Sequence, residues 1–451
     1  METNTVADYV YGHNNVKGMY MVLIASASVF LDVWDLTAFG FVLTFFKATF
    51  LPAGLILGVS VAAANIGAIA GAILGGYFTD KFGRKRLLIY NMFVFVVFSF
   101  LIAVSTNILQ FIAFRLIMGF SIGSDVATGF SYIYEYISKG QRNRYYSLWA
   151  YSFSVVALIA VGSVFLLTRE ISNDSVWRYI FVIGGVFAAI ILLFRTRITE
   201  TPVWLYGNGK YRETKDVLKK VYGEDININD NNRKEHITLK NLIKLFHKGL
   251  NRELIFTFSL NGIVGFIGWG FAFYITYMLA LLKFLAFYQI LEADAIIYAF
   301  GFLGAFLSPH LAKRFGIYRS AVFPAVVASI SIFALFLTFD RVLPVYFVLP
   351  LSIIIIFMNY SGPMAYNAVL NEFIPTSLRG VGNGWNYMFN KITEAVSGLT
   401  AGAILVIVGL QFNTIILFLI VFSFTIIALI AGRKGYFGNH RVSDFHTSPE
   451  E

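Results

Sequence analysis

Six ionisable residues stand inside stretches that otherwise hold apolar and small polar side chains: Asp32, Asp35, Arg115, Asp125, Lys391 and Glu394. A charge at the centre of an apolar membrane phase costs about 2.5 to 3.5 kcal/mol on insertion scales, so none of the six can face lipid. Asp32 and Asp35 are three apart in "LDVWDLTAFG" (31–40), and Lys391 and Glu394 are three apart in "NKITEAV" (390–396). On a helix that spacing puts each pair on one face, where Lys391 and Glu394 can bond each other and the two aspartates repel. Two close carboxyls out of water titrate as a unit, which suits a group that must take up and release a proton.

Such residues need helices that cross an apolar phase. The chain has 451 residues, 58% hydrophobic and 13% charged, far too apolar for a soluble protein of this size. Twelve runs of bilayer-crossing length are predicted at 19–46, 53–79, 87–106, 108–137, 144–168, 177–195, 252–281, 288–309, 318–338, 343–370, 381–409 and 411–431. The fold class is therefore an all-α membrane protein. The opening "METNTVADYVYGHNNVKG" lacks the apolar core of a signal peptide, so the first span is expected to stay in the mature chain.

The formal net charge of +10 is explained by where the charge lies. With the N-terminus inside, 28 Lys and Arg fall in inner segments, 5 in outer loops and 2, Arg115 and Lys391, within spans. Setting aside the long central loop, which says little about orientation, the split is still 15 to 5. This predicts a multi-pass protein of the cell membrane with both termini cytoplasmic. The basic excess is then topological, and no nucleic-acid partner is expected.

One long polar segment, 196–251, separates an N-terminal six-helix bundle (1–195) from a C-terminal one (252–432), and a tail (433–451) follows. "YRETKDVLKKVYG" and "LKNLIKLFHKGLN" in the central loop have helical spacing with basic faces and are expected as short surface helices. The halves repeat. "GAILGGYFTDKFGRKR" (71–86) aligns without gaps on "GAFLSPHLAKRFGIYR" (304–319), and "EYISKGQR" (135–142) on "EFIPTSLR" (372–379). Each match follows the second or fourth helix of its half, as a parallel duplication requires.

"GGYFTDKFGRKR" resembles the signature loop of the major facilitator superfamily, carried here by Gly76, Asp80, Lys81, Gly83, Arg84 and Lys85. "RLIMGFSIGSDVATGFSYIYEYISKGQRN", "TETPVWL" (199–205) and "NEFIPTSLRGVGNG" (371–384) resemble the sugar and metabolite:proton symporter branch, in order and at the matching helix junctions. The resemblance implies two six-helix bundles that rock about a midplane site, moving a small molecule with protons across the lipid bilayer. It also implies gating contacts at the cytoplasmic face from the loop, from Glu135 with Arg142, and from Glu372 with Arg379. Asp80 would pair with Arg142 or Arg144, or cap a neighbouring helix. In proton-coupled members an acid on the first helix trades a proton for an arginine on the fourth. Asp32 or Asp35 is thereby the expected acceptor, Arg115 its partner and Asp125 a second candidate; a static buried salt bridge is the alternative.

Glycines mark close helix contact. Gly67, Gly71 and Gly75 form a stripe four apart on the second span, answered by Gly119 and Gly123 on the fourth. Gly262, Gly265, Gly268 and Gly270 on the seventh, and "SGP" (361–363) on the tenth, predict bends beside the cavity. For the solute, Tyr132, Trp149, Asn261, Trp269, Tyr274, Tyr298, Asn359, Asn367, Trp385, Asn386, Asn390, Lys391 and Glu394 are the candidates, since such side chains stack on or hydrogen-bond a small molecule.

The glutamine pairs usual in sugar porters on helices 5 and 7 are missing, and Arg115 and Lys391 could meet a carboxylate. A small organic anion therefore leads, with sugar:proton symport, phosphate:proton symport and proton-coupled drug or metabolite export as alternatives. The six histidines have no metal-ligand spacing, cysteine is absent, and neither a nucleotide-binding loop nor a nucleophile motif occurs. The expectation is a monomeric transporter driven by the proton gradient, not an enzyme, with no cofactor and no metal.

Overall fold

A computed structural model describes residues 6–13, 16–52, 54–136, 142–171, 175–223, 251–283, 285–362 and 379–433. The first crossing is made in pieces, α2 (Val16–Ser26), α3 (Ser28–Phe41) and α4 (Leu43–Phe50), after a short α1 (Val6–Gly12). The N-terminal half continues with α5 (Gly54–Phe82), α6 (Arg84–Ala103), α7 (Ile108–Tyr136), α8 (Arg142–Glu170) and α9 (Val176–Arg195). Two short helices follow, α10 (Pro202–Gly207) and α11 (Tyr211–Tyr222). The C-terminal half holds α12 (Asn251–Gly265), a π-helical turn (Phe266–Ala272), α13 (Ile275–Leu281), α14 (Phe287–Phe315), α15 (Ile317–Phe339), α16 (Val348–Ser361), α17 (Arg379–Ile407) and α18 (Leu410–Arg433). Nine stretches among the described residues are long and apolar enough to cross a membrane. With α8, α16 and α17 the crossings number twelve, six in each half.

The internal repeat has a backbone counterpart. Gly83 ends α5 with φ 100° and ψ 154°, and Gly316 ends α14 with φ 82° and ψ 154°. Both turns use a conformation that L side chains rarely adopt, which is why glycine stands at the matching place in each half. The glycine-rich seventh crossing widens into its π-helical turn between Gly265 and Phe273, a common form of local helix irregularity at functional sites.

Small residues set the closest helix contacts. A Cβ on Gly67 or Gly71 would overlap the backbone of Leu116 and Phe120, and one on Gly119 or Gly123 the backbone of Ala64 and Ala68. These reciprocal stripes let α5 and α7 touch backbone to backbone, where dispersion replaces the hydrophobic drive that lipid cannot supply.

The face carrying residues 199–222 is here called proximal and the opposite face distal. On the proximal face α1 docks on the short helices, with Val6, Tyr9 and Val10 packed against Tyr206 and Leu218. Towards the distal face the halves meet closely. Lys47 donates to the Tyr277 hydroxyl at 2.7 Å, Phe41 packs edge-on to Tyr298, and Tyr288 donates to the Thr168 carbonyl. A Cβ on Gly40 would lie 2.7 Å from the Phe273 carbonyl oxygen, and one on Gly58 2.7 Å from that of Leu399. A Cβ on Gly76 or Gly384, nearer the proximal face, would meet none of the described residues within 4 Å. The seam between the halves is thus closed on the distal side.

Candidate functional site

The charges of the first crossing occupy the middle of the seam. Asp35 takes a 2.6 Å bond from Arg115 of α7, and both are buried. Arg115 sits among the rings of Phe39 at 4.5 Å and Phe111 and Phe181 at 5.6 Å, which supply cation–π attraction where water is excluded. Among the described residues its Nε and Nη1, and the second oxygen of Asp35, have no hydrogen-bond partner. The pair is single-pronged, with capacity left on both members.

Asp32, one turn earlier, turns to the other half. Lys391 of α17 reaches both its oxygens, at 2.9 and 3.2 Å, and the Tyr387 hydroxyl lies 3.3 Å away. Lys391 also holds Glu394 at 2.9 Å across one helical turn. Asp32 and Lys391 lie within electrostatic reach of Asp35, so Asp32, Asp35, Glu394, Arg115 and Lys391 form one central cluster. With every group ionised it carries three negative and two positive charges.

Asp125 is placed apart from that cluster. Arg195, the last residue of α9, grips both its oxygens at 2.6 and 3.0 Å and also donates to the carbonyls of Leu88 and Ala25. This bidentate bond ties four helices of the N-terminal half together. By sequence Arg195 counts as a loop cation, because it ends an apolar run.

Beside the cluster, α12, the π-helical turn and α17 bring polar side chains together. The Asn261 amide donates to Asn386, while the Asn261 carbonyl oxygen and the Asn390 amide nitrogen find no partner among the described residues. Trp269 stacks on Phe273 with its indole beside Glu394. The side-chain oxygen of Asn359, on α16, is likewise buried without a partner among the described residues. Tyr274 and Tyr298 spend their hydroxyls on the carbonyls of Gly398 and Ala272. Tyr132 lies towards the proximal face, donating to the Thr199 carbonyl. Trp385 begins the described part of the α17 face, half-buried. Asn367 and the side chain of Trp149 lie outside the described residues.

At the proximal face the signature loop and "TETPVWL" form one unit. Arg84 bridges Asp80 and Glu135 at 2.8 Å each. Glu200 caps α6 by accepting from the backbone N–H groups of Arg84 and Lys85, which favours a carboxylate at that helix end. Thr201 bonds Glu135, and the Trp204 indole donates to the Asp80 carbonyl. Lys81 rests against the rings of Tyr77 and Phe82. Burial pushes the Glu135 carboxyl above its ordinary range, against the pull of Arg84 and the Thr201 hydroxyl. Asp80 therefore pairs four residues along its own chain. The side chains of Arg142, Arg144 and Arg379, and Glu372 altogether, lie outside the described residues.

Two charged residues of these regions had escaped the reading of the sequence. Glu200 sits in a motif that had been noticed only as a resemblance. Asp294 lies within a predicted span, so the test that found the other six applied to it equally.

Comparison with known proteins fits this geometry. A model of the Major Facilitator Superfamily matches residues 25–398. The chain belongs to that superfamily. Among curated relatives, the arabinose-proton symporter of Bacillus subtilis is 26% identical over 222 residues, 46% of this chain and 47% of its own length. The putative metabolite transport protein YncC of the same organism is 26% identical over 385 residues, 77% of each chain. The chain spans less than half the length of the first relatives it matches, at 46% and 47%. Among solved structures, the xylose transporter XylE from E. coli in a partially occluded inward open conformation superposes with a TM-score of 0.76 at 19% identity, covering 92% of this chain and 97% of that one. A D-xylose-proton symporter structure gives 0.74 at 17% identity, covering 93% and 98%.

Proposed function

We propose that this chain is a secondary transporter of the cell membrane, with cytoplasmic termini, that carries a small neutral polyhydroxylated solute inward together with a proton. The observation that carries this reading is the central cluster: three carboxylates against two cations, buried where the two halves meet. An excess charge out of water is neutralised most simply by one proton, so the cluster is built to hold one. In this reading Asp35 exchanges Arg115 for the proton, and Asp32 with Lys391 ties the halves until the seam reopens. The proximal network about Arg84 and Glu200 braces the N-terminal half as it moves. The chain works as a monomer and uses the proton gradient in place of a cofactor.

The same cluster bears on the solute. Arg115 and Lys391 are each engaged by protein carboxylates, and an anion would add to a site that is already negative. The unfilled amide groups of Asn261, Asn359 and Asn390 suit hydroxyl groups, which both donate and accept. Relatives named for arabinose, glucose and xylose support the same choice over the organic anion.

Uptake of labelled xylose, arabinose, glucose, a monocarboxylate and phosphate into proteoliposomes with an imposed inward proton gradient tests the reading. A sugar should accumulate, and a protonophore should abolish the accumulation. Gradient-driven uptake confined to the carboxylate or phosphate would overturn the neutral solute, and extrusion of apolar drugs would overturn symport.

A further inference from the structure

Asp294 of α14 is fully buried, with 0% of its surface exposed. Its Oδ2 accepts a 2.7 Å bond from the Thr276 hydroxyl of α13, and its Oδ1 is buried and meets no donor among the described residues. Asp32, Asp35 and Asp125 each hold a cation at 2.9 Å or less; among the described side chains no lysine, arginine or histidine forms an ion pair with Asp294. One neutral hydroxyl leaves a charge at this depth uncompensated, an arrangement that a carboxylate keeps only by carrying a proton.

The remaining ionisable neighbours supply no positive charge. Tyr298, on the same helix, bonds the Ala272 carbonyl, with Tyr360 of α16 beside it. Tyr277 of α13 is taken up with Lys47, Glu292 points to the exposed side of α14, and the described side chains of α8 from 152 to 168 contain no ionisable group. Asp294 is also joined to the distal seam. Its one donor among the described residues, Thr276, lies on the element that presents Tyr277 to Lys47, and Phe273, just before that element, closes against Gly40. When the halves part on the distal side, this segment loses those contacts and water gains a path to the carboxyl.

We propose that Asp294 is a second proton-binding site, separate from the central cluster, occupied while the distal seam is closed and emptied as the seam opens. It is not part of the pairs that tie Asp32 and Asp35, and it acts from within the C-terminal half.

The full chain reconstituted in liposomes gives a direct test by acid-minus-alkaline infrared difference spectra in the stretch of protonated carboxyls, with deuterium exchange to identify them. Asp294→Asn should delete one component, and Thr276→Val should keep that component but shift its frequency, since a hydrogen bond to it is lost. Because the chain has no cysteine, spin labels at Leu51→Cys and Tyr346→Cys, exposed on the two halves, report the seam. Their separation should widen at alkaline pH in the parent protein and stay short in Asp294→Asn. A spectrum unchanged by Asp294→Asn, a component that does not titrate, or one removed by sodium but not potassium at constant pH would overturn the proposal. Neither readout uses a transported solute. Failure here leaves the central-cluster reading standing, and failure of uptake leaves this one untouched.

Discussion

Two buried ion pairs lie one helical turn apart on the first crossing and differ in what they join. Asp35 and Arg115 both belong to the N-terminal half, so the pair travels with its bundle and no rocking motion need break it. Asp32 and Lys391 belong to different halves, so the pair lengthens whenever the halves separate at that depth. A bond within a rigid body can exchange a proton without moving helices, whereas one between rigid bodies reports and resists their motion. Lower down, the Arg84, Glu135 and Glu200 network lies, among the described residues, within the N-terminal half and the central segment.

The sharpest way to break this comparison is to remove Lys391, which serves Asp32 and Glu394 together. Lys391→Met should lower stability by about 3–5 kcal/mol, the scale for an uncompensated buried charge, and abolish transport. Thermal melting in detergent would register the loss, and adding Asp32→Asn should recover part of it. Additive effects of that double change would mean the two residues are not coupled. Asp35→Asn should keep solute exchange across proteoliposomes while losing accumulation against a gradient. If Asp32→Asn behaves in that way and Asp35→Asn does not, the roles of the two aspartates are reversed.

A smaller effect is expected where the halves touch through backbone. Gly58→Val meets the Leu399 carbonyl and should cost about 1–3 kcal/mol of overpacking specifically in the distal-closed form, so labels at 51 and 346 should report a wider seam. The smallest effect concerns Glu135. Its folded-state affinity for a proton is raised above that of the ordinary carboxyl, 4.5, so its stabilising contribution is present below that value and fades as pH rises through the higher folded one. The stability of the parent protein relative to Glu135→Gln should fall over that window, as a change of slope in melting temperature against pH.

Part of this arrangement could be read without coordinates. The three-residue spacings of Asp32 with Asp35 and Lys391 with Glu394, the glycine stripe on α5 and the alignment of Gly83 with Gly316 are local patterns, governed by helical period and backbone conformation. What escaped reading was long-range. Arg195 ends an apolar run and looked like a surface cation, yet it caps Asp125 seventy residues away in the chain. Asp80 bonds Arg84, because the turn at Gly83 folds α6 back over the end of α5; the side chains of Arg142 and Arg144, its expected partners, lie outside the described residues. The proposal of a neutral solute in place of an anionic one rests on the same kind of information, since the occupancy of Arg115 and Lys391 is a property of their neighbours.

The sequence by itself determined the crossings, their grouping into two halves and six of the buried charges, since each follows from hydropathy, length and spacing along one segment. Only the tertiary structure decided which charge meets which: Asp35 with Arg115, Asp32 with Lys391, Asp125 with Arg195, and Asp294 with no cation among the described side chains. The physical reason is that a helix fixes which side chains share its face but not its rotation about its own axis. That rotation is set by packing against several neighbours at once, and a difference of one turn sends Asp32 across the seam and Asp35 back into its own half.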